Sequence, residues 1–413
     1  MWTVDARNCN VCGNFHAYLM PWLDTNGQMI LSLSNGAPFK VWQANAQLYR
    51  PTFRNLPLPT FRTDAPVSGA GMVPRDPVRA IDTRQTHQRV RGGSFLTVPL
   101  TNFVAADAVG VVANLTAVNP AAAGFLTAWP CGAAMPTTSV LNYRGARNTA
   151  NGVHVRLGPA KQLCVYSQSD TDILVDVTGS YVPAGSGLHT LTAARVADTQ
   201  PSAPLAAGAT LTVPVAGLAG VPATGVAAVT VTVTAIAPAG SGYATVWPCS
   251  QQMPTVSTLN FVQGDTIANS ATLPLGAAGD LCVFSPTATH LTVDVDGWWD
   301  GSGMRARIGQ PTRLLDTRAG AKPLAGATVN TALTSLPADT KAVVANIAAV
   351  APAAAGNLTA WACDVQPAGS TVAYASAENR AGMTISALSA TRQLCLTTTK
   401  SSHLLIDVMV TFS

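Results

Sequence analysis

Six of the eight cysteines form three pairs of nearly equal spacing. The first cysteine of each pair ends a Thr-x-Trp-x-Cys segment, and the second follows 33, 33 and 32 residues later. The pairs are Cys131 with Cys164, Cys249 with Cys282, and Cys363 with Cys395. Two such thiols can oxidise to a disulfide, which would stabilise the fold by about 3–4 kcal/mol by closing a loop of this length. The spacing favours three disulfides, and buried free thiols are the alternative.

Carboxylates recur at two equivalent positions of each copy, in an opening Asp-Thr-Arg/Gln segment and in a closing Asp-Val strand. The opening residues are Asp82, Arg84, Asp198, Asp316 and Arg318, and the closing residues are Asp176, Asp294 and Asp407. An Asp beside an Arg could take part in acid–base chemistry, but Gln200 replaces the Arg in the second copy and an Asp can also cap a turn. A closing Asp is costly if it is buried without a partner. We therefore expect structural roles, with each closing Asp paired to the Arg or Thr of the opening segment.

Two segments resemble parts of metal sites. Asp294-Val-Asp-Gly-Trp-Trp-Asp300 has the acidic residues of a short calcium loop, but its counterparts lack the second and third carboxylates, and calcium needs six or more oxygen ligands. Cys9-Asn-Val-Cys12 with His16 is half of a zinc site without a second pair of ligands nearby. We predict no metal and no cofactor. Trp298 and Trp299 could form a sugar-stacking surface or cap the domain.

The residues of a catalytic centre are not grouped in any recognisable motif. The six histidines are dispersed, and the sequence contains no His-x-x-x-His, Gly-x-Ser-x-Gly, Walker or Gly-x-Gly-x-x-Gly pattern. We therefore expect no catalytic residue and no enzymatic activity.

The elements that carry these residues read as short β-strands. Each copy contains alternating segments such as Ser94-Phe-Leu-Thr-Val-Pro99 and β-branched runs such as Val229-Thr-Val-Thr-Val-Thr-Ala-Ile236. Seven or eight such strands in roughly 110 residues, without a helical period, predict a sandwich or jelly roll. The predicted fold is all-β, with three tandem β-sandwich or jelly-roll-like domains after a small β-rich N-terminal module.

The domain boundaries follow the repeats and the Gly/Pro-rich segments. We predict a small β-rich anchoring module over residues 1–50, a Pro/Gly-rich linker over 51–74, and β-repeats over 75–187, 188–303 and 304–413. A hairpin is expected around Asp24-Thr-Asn-Gly27. Gly/Ser linkers separate the repeats and would let them reorient, yet their four residues keep neighbours in contact.

The amino-acid composition limits the partners that the chain is expected to bind. Charged residues are 11% of the chain against 48% apolar ones, and a stretch of arginines in the first repeat lacks interleaved aromatic residues, so no nucleic acid is expected. No apolar run reaches the length of a membrane helix, and Met1-Trp-Thr-Val-Asp-Ala-Arg7 lacks the features of an export signal. Paired cysteines nevertheless suit an oxidising environment. A virion component made in the host cytoplasm and released by lysis meets both conditions.

Several segments together resemble a repeat found in actinobacterial surface and extracellular proteins and in minor tail proteins of phages that infect mycobacteria and their relatives. They are Leu314-Leu-Asp-Thr-Arg318, Asn114-Leu-Thr-Ala-Val118, Leu126-Thr-Ala-Trp-Pro-Cys131, Leu259-Asn-Phe261, Leu281-Cys-Val-Phe284 and Val293-Asp-Val-Asp-Gly-Trp-Trp299. The resemblance covers residues 75–413, and the third copy departs from it with Ala362 in place of Pro.

The resemblance implies a non-enzymatic structural protein of the virion, a minor tail or tail-tip component of an actinobacteriophage. Residues 1–72 would bind other tail proteins, and the repeats would face the host surface, where a cell-wall glycan or surface polymer is the expected partner. We also expect a homo-oligomer, specifically a trimer. The alternative is a secreted or wall-associated actinobacterial adhesin or carbohydrate-binding protein.

Overall fold

The computed structural model describes residues 66–413 and three strands nearer the N-terminus. The chain divides into two compact units, Met1–Asp64 and Ala65–Ser413. The strands of the first unit are β1 (Ala17–Leu23), β2 (Met29–Leu33) and β3 (Thr52–Leu56). They form an antiparallel sheet in the order β1-β2-β3, so the predicted hairpin is present as the β1–β2 pair.

Each repeat in the second unit folds into eight strands. The first repeat contains β4 (Val67–Asp82), β5 (Ser94–Pro99), β6 (Gly110–Val118), β7 (Gly124–Pro130), β8 (Leu141–Tyr143), β9 (Thr149–Arg156), β10 (Gln162–Ser167) and β11 (Asp172–Val182). The second contains β12 (Gly187–Asp198), β13 (Thr210–Pro214), β14 (Ala228–Ile236), β15 (Gly242–Pro248), β16 (Leu259–Phe261), β17 (Thr266–Leu273), β18 (Asp280–Phe284) and β19 (His290–Asp300). The third contains β20 (Ala306–Asp316), β21 (Thr328–Ala332), β22 (Ala342–Val350), β23 (Gly356–Trp361), β24 (Val372–Tyr374), β25 (Arg380–Ala387), β26 (Gln393–Thr398) and β27 (His403–Phe412). Two short helical turns follow the opening strands, α1 (Thr83–Thr86) and the 3₁₀ turn η1 (Thr317–Ala319).

The eight strands of a repeat form two packed antiparallel layers. In the first repeat the inner layer has the order β4-β11-β6-β9 and the outer layer the order β5-β10-β7-β8, and the other repeats follow the same order. The first strand therefore pairs with the last, and the second with the seventh, which is the arrangement of a jelly roll. The predicted all-β class and sandwich architecture are confirmed.

The inner and outer layers differ in burial. The outer strand β5 alternates between more and less exposed residues, as expected for a strand with one face in water. All nine residues of the inner strand β6 are buried, and its counterparts β14 and β22 are buried except at their last residue. A strand without alternation is covered on both faces. The second face of each inner layer is covered by the neighbouring repeats.

The three repeats close into a ring. The backbone of Met72 pairs with Ser186 of the second repeat, and Leu188 pairs with Met304 of the third. Ala306 pairs with Ala70, which returns from the third repeat to the first and joins their inner layers into one eight-stranded sheet. These three pairings use equivalent positions, so the repeats are related by an approximate threefold axis. Consecutive repeats pack against each other, as predicted.

The Gly/Ser segments between repeats are ordered parts of this ring, which corrects their interpretation as linkers that let the repeats reorient. A Cβ atom on Gly71 or Gly185 would overlap the backbone of the other residue. The Arg305 guanidinium also donates hydrogen bonds to the carbonyls of Gly69 and Pro183. Glycine is therefore required here for close backbone approach rather than for flexibility.

The Pro/Gly-rich linker predicted over residues 51–74 is also wrong in part. Strand β3 lies within it, and β4 begins at Val67 and occupies the middle of the eight-stranded sheet, so the predicted start of the first repeat at residue 75 falls inside a strand. The register of β4 against β11 shifts between Val78 and Pro74. Prolines are tolerated in a central strand at such irregularities, because no regular ladder hydrogen bond is lost there.

Candidate functional site

The six repeat cysteines form the three predicted disulfides. They are Cys131–Cys164, Cys249–Cys282 and Cys363–Cys395, with Cα–Cα distances of 5.0, 4.9 and 5.0 Å. Each joins the end of the fourth strand of its repeat to the adjacent seventh strand. The bonds link neighbouring strands of the outer layer. Cys9 and Cys12 lie outside the described residues.

The closing aspartates pair with arginines, but with different ones from those predicted. Each bond is bidentate, at 2.7 and 2.9 Å for Arg79 with Asp176. The equivalent pairs are Arg195 with Asp294, at 2.8 and 3.0 Å, and Arg313 with Asp407, at 2.8 and 2.9 Å. Each of these arginines lies three residues before the Asp of the opening segment, a recurrence in all three copies that could have identified it.

The opening aspartates cap the turns that follow them. Asp82 accepts hydrogen bonds from the backbone N–H and the guanidinium of Arg84, and Asp316 does the same with Arg318. The hydrogen bond from Arg318 lowers the pKa of Asp316 to about 2. Asp198 accepts the backbone N–H of Gln200 at 2.8 Å. The geometry gives these aspartates a structural role in each repeat.

Pairs of buried asparagines join the repeats at two of the three interfaces. Asn269 donates to Oδ1 of Asn114 at 2.9 Å between the second and first repeats. Asn114 in turn donates to the carbonyl of Ser257 at 2.7 Å. At the interface of the first and third repeats, Asn151 donates to Asn346 at 3.0 Å, and Asn346 donates to the carbonyl of Ser139 at 2.6 Å, in the same arrangement. None of the four asparagines is predicted from sequence to lie at an interface between repeats.

The third interface, between the second and third repeats, lacks this pair. Strand register places Thr232 where the other interfaces have Asn114 and Asn346, and Gly382 where they have Asn151 and Asn269. A cavity of about 220 Å³ lies here, and its lining includes Thr232, Asp296, Trp361 and Ser370. The corresponding cavity between the first and second repeats is about 20 Å³. The loss of two amide side chains accounts for the larger space.

Asp296 is a buried carboxylate of this cavity and, unlike Asp294 beside it, has no arginine partner among residues 66–413. It is 8% exposed, and its Oδ2 accepts a hydrogen bond from Thr232 at 2.7 Å. Burial raises the pKa of Asp296 to about 7, against the effect of the Thr232 hydrogen bond and with a further contribution from the nearby charge of Asp294. Within residues 66–413, Oδ1 of Asp296 has no hydrogen-bond partner.

The aromatic residues at the ends of the last strands meet near the threefold axis. Tyr181, Trp299 and Phe412 occupy equivalent positions and are fully buried, with ring centroids 6.2 and 5.7 Å apart along the series. Trp299 is therefore a core residue, which corrects its assignment as a possible surface-binding aromatic. Trp298 is partly buried and stacks on His189, with ring centroids 3.8 Å apart.

A buried histidine completes the polar contacts at this axis. Nδ1 of His154 lies 2.7 Å from the hydroxyl of Tyr181, and Nε2 lies 3.4 Å from the hydroxyl of Thr272 in the second repeat. Burial lowers the pKa of His154 to about 3, so the ring is neutral at neutral pH. A neutral imidazole held on both sides contributes to the junction between repeats.

A group of charged residues lies at another set of equivalent positions. Arg147 of the first repeat pairs with Asp265 of the second, and the corresponding residue of the third repeat is Glu378. Arg380 is 1% exposed beside them, and burial lowers its pKa to about 10. Arg147 and Asp265 join the first and second repeats, and Arg144 of the first repeat lies 3.9 Å from Glu378 of the third.

The acidic segment considered as a calcium loop is divided among separate partners. Asp294 pairs with Arg195, Asp296 with Thr232, and Asp300 with His189 at 2.8 Å. Within the described residues, no three His, Cys, Asp or Glu side chains are grouped to hold a metal ion. Nor does any helix in this part of the chain have the length and apolar character needed to cross a membrane.

Known proteins give distant matches. No protein-family model and no curated protein matches the chain. The N-terminal CBM22-1–CBM22-2 tandem domain of Paenibacillus barcinonensis Xyn10C is 13% identical, with a TM-score of 0.17, over 57% of this chain and 97% of its own. A triple jelly-roll protein from the turret of an archaeal virus is 8% identical, with a TM-score of 0.18, over 85% and 93%. A structure from Sulfolobus turreted icosahedral virus is 9% identical, with a TM-score of 0.16, over 78% and 85%. Similarity at this level carries no conclusion about ligand or assembly.

Proposed function

We propose that the chain is a non-enzymatic structural protein of the virion, a minor tail or tail-tip component of an actinobacteriophage that presents its repeats for attachment to the host surface. The observation that carries the proposal is the closed ring of three jelly rolls, in which Ala306 pairs with Ala70. A disulfide and a buried ion pair stabilise each repeat, and asparagine pairs join two of the three interfaces. A rigid ring of this kind can carry load and present a fixed surface for recognition. The resemblance of its repeats to those of phage minor tail proteins supports a location in the tail.

The ring changes how further assembly would occur. The sequence leads us to expect a homotrimer at a threefold tail tip, and like surfaces of the three repeats can also close into a ring within one chain when the rotation allows. Here those surfaces meet within one chain, through Met72 and Ser186, Leu188 and Met304, and Ala306 and Ala70. We propose that one chain supplies a threefold body by itself and that contacts with other chains use different faces.

Docking to the particle is assigned to the N-terminal unit. Removal of residues 1–64 leaves the ring-forming unit complete, whereas removal of residues 1–72 would also take Ala70 and Met72 out of the ring. Phage carrying the 1–64 deletion should assemble particles that lack the protein, as measured by mass spectrometry of purified virions. Incorporation of the shortened chain at the normal level would contradict this assignment.

A secreted or wall-associated adhesin is the second candidate. The three disulfides favour it as much as a virion protein, because both act in an oxidising environment. The two differ in where the intact protein is found. Recovery of the protein in purified particles supports the virion role, and recovery from the cell wall of uninfected bacteria supports the adhesin.

A further inference from the structure

The interface between the second and third repeats differs in the size and the lining of its cavity. Its cavity of about 220 Å³ opens towards solvent beside Asp364 and Val365, which are both exposed. A water occupies about 30 Å³ in the liquid, so the space corresponds to about seven waters. An apolar cavity of about 150 Å³ is enough to hold a benzene ring. The cavity therefore has room for one six-membered ring but not for several linked rings.

Among the described residues, the lining contains acceptors without a protein partner, one of which has lost the asparagine that its counterparts keep. The carbonyls of Ser139 and Ser257 each accept a hydrogen bond from an interface asparagine, whereas no asparagine reaches Ser370. Oδ1 of Asp296 is likewise without a partner within residues 66–413, although the residue is more than nine-tenths buried. Oδ1 of Asp296 is not among the fully buried atoms that lack a partner, so it is open to the cavity. A ligand that displaces water there must donate to these acceptors, because leaving them without a hydrogen bond is costly.

The indole N–H of Trp361, which lines the same cavity, is a hydrogen-bond donor that lacks, among the described residues, the partner that its counterparts have. The indole N–H of Trp129 donates to the carbonyl of Ala133 at 3.1 Å, and that of Trp247 donates to Gln251 at 3.1 Å. Trp361, their equivalent, makes no such bond in the described part of the chain and lines the cavity. In the third repeat Ala362 replaces the Pro that follows this Trp, and the loop up to Thr371 is one residue shorter than in the other copies.

The acceptors, the donor and the negative charge of the lining together favour a ligand that carries hydroxyl groups. Anions are disfavoured by Asp296 and Asp364, and a purely apolar ligand would leave the polar lining unsatisfied. A simple ammonium ion could pair with Asp296 but would offer no acceptor to the Trp361 N–H. Hydroxyl groups both donate and accept, and a sugar ring has several of them around a face that can lie against an indole.

We propose that the cavity between the second and third repeats binds a single sugar ring, with hydroxyls that donate to Asp296 and Ser370 and accept from Trp361. The equivalent space between the first and second repeats is about 20 Å³, which is too small for a sugar ring. The inference rests on the proposed attachment function in one respect, which is that the sugar belongs to the host surface. Binding by the purified chain and incorporation into particles are measured separately, so that either can fail alone.

The test is a ligand titration of the full-length protein. Glucose, galactose, mannose, arabinose and N-acetylglucosamine are added singly up to about 10 mM, and binding is followed by saturation-transfer NMR and by tryptophan fluorescence. A ligand of this size is expected to bind with a dissociation constant of about 1 mM. At least one of these sugars should bind. Ethanolamine serves as the ammonium probe, and binding of ethanolamine without any of the sugars would overturn the proposal.

Variants locate the site. Asp296→Asn should weaken sugar binding by about tenfold at a pH of about 8, where the carboxylate is ionised, because the charged acceptor is replaced by a neutral amide. Trp361→Phe should weaken it by about fivefold and abolish the fluorescence change. The matched control is Trp247→Phe, at the equivalent position of the second repeat, where the N–H is already bonded to Gln251, and it should leave binding unchanged. Circular dichroism confirms that each variant is folded. No binding by the folded wild-type protein, or binding that neither variant weakens, would overturn the proposal.

Discussion

At the scale of single residues, each repeat depends on a buried carboxylate and the arginine that neutralises it. The Asp407 side chain is 2% exposed and that of Arg313 is 21% exposed. Removing one partner of a buried pair leaves an uncompensated charge, which costs about 3–5 kcal/mol. Arg313→Met should therefore lower the free energy of unfolding by about 3 kcal/mol, as measured by urea denaturation.

The control for that variant is Arg318→Met in the same repeat. Arg318 is 47% exposed and its partner Asp316 is 29% exposed, so water screens the pair and its loss should cost less than about 1 kcal/mol. Equal losses for the two variants would show that Arg313 acts only as another surface charge.

His154 predicts a pH dependence of stability. In the unfolded chain a histidine binds a proton near its ordinary pKa of 6.5, whereas burial lowers the pKa of His154 to about 3 in the folded protein. The unfolded state therefore binds more protons between these values, and the free energy of unfolding falls as the pH drops from 6.5 towards 3. His154→Thr, which introduces the residue found at the equivalent position of the second repeat, should reduce this slope by up to about 1.4 kcal/mol per pH unit. Identical slopes in urea denaturation series would mean that His154 is not buried as described.

At the scale of strands, the inner layers hold the repeats together through amide side chains. Asn114 makes hydrogen bonds to Ser257 and Asn269 of the second repeat. Asn114→Ala should cost about 2–3 kcal/mol, because buried partners in that repeat are left unsatisfied. Asn330→Ala is the control, since Asn330 lies in an outer strand with an exposed bond to Gln393 and should cost less than about 0.5 kcal/mol. Thermal denaturation of both variants checks the prediction, and a cost for Asn114 no larger than that for Asn330 would contradict it.

The strands could be predicted from the sequence, but the contacts that their side chains make with other repeats could not. β-Branched runs bounded by Gly and Pro identified the strands, and equal spacing identified the disulfides. Asn114 was read as part of a strand because nothing local distinguishes a surface amide from one that bonds to another repeat. For a similar reason the sequence leaves open whether Trp299 forms a surface or caps the domain, since its burial depends on Tyr181 and Phe412 from other strands more than 100 residues away in sequence.

At the scale of the whole molecule, the Gly/Ser segments had two possible meanings. Their composition is the same in a flexible linker and in a close backbone crossing. The contact between Gly71 and Gly185 decides between them in the structure, because it brings together residues from different repeats. No local pattern reports such a contact, so the closed ring could not be predicted with the certainty of the strands.

The central claim is that the three repeats of one chain form a closed ring, and small-angle scattering of residues 65–413 tests it most directly. A compact body of this length has an expected radius of gyration of about 20 Å. Three separate domains of this size in a line would give about 30 Å. We predict about 20 Å and a rigid-particle scattering profile at all concentrations measured. A value near 30 Å, or a profile typical of independently moving domains, would contradict the ring.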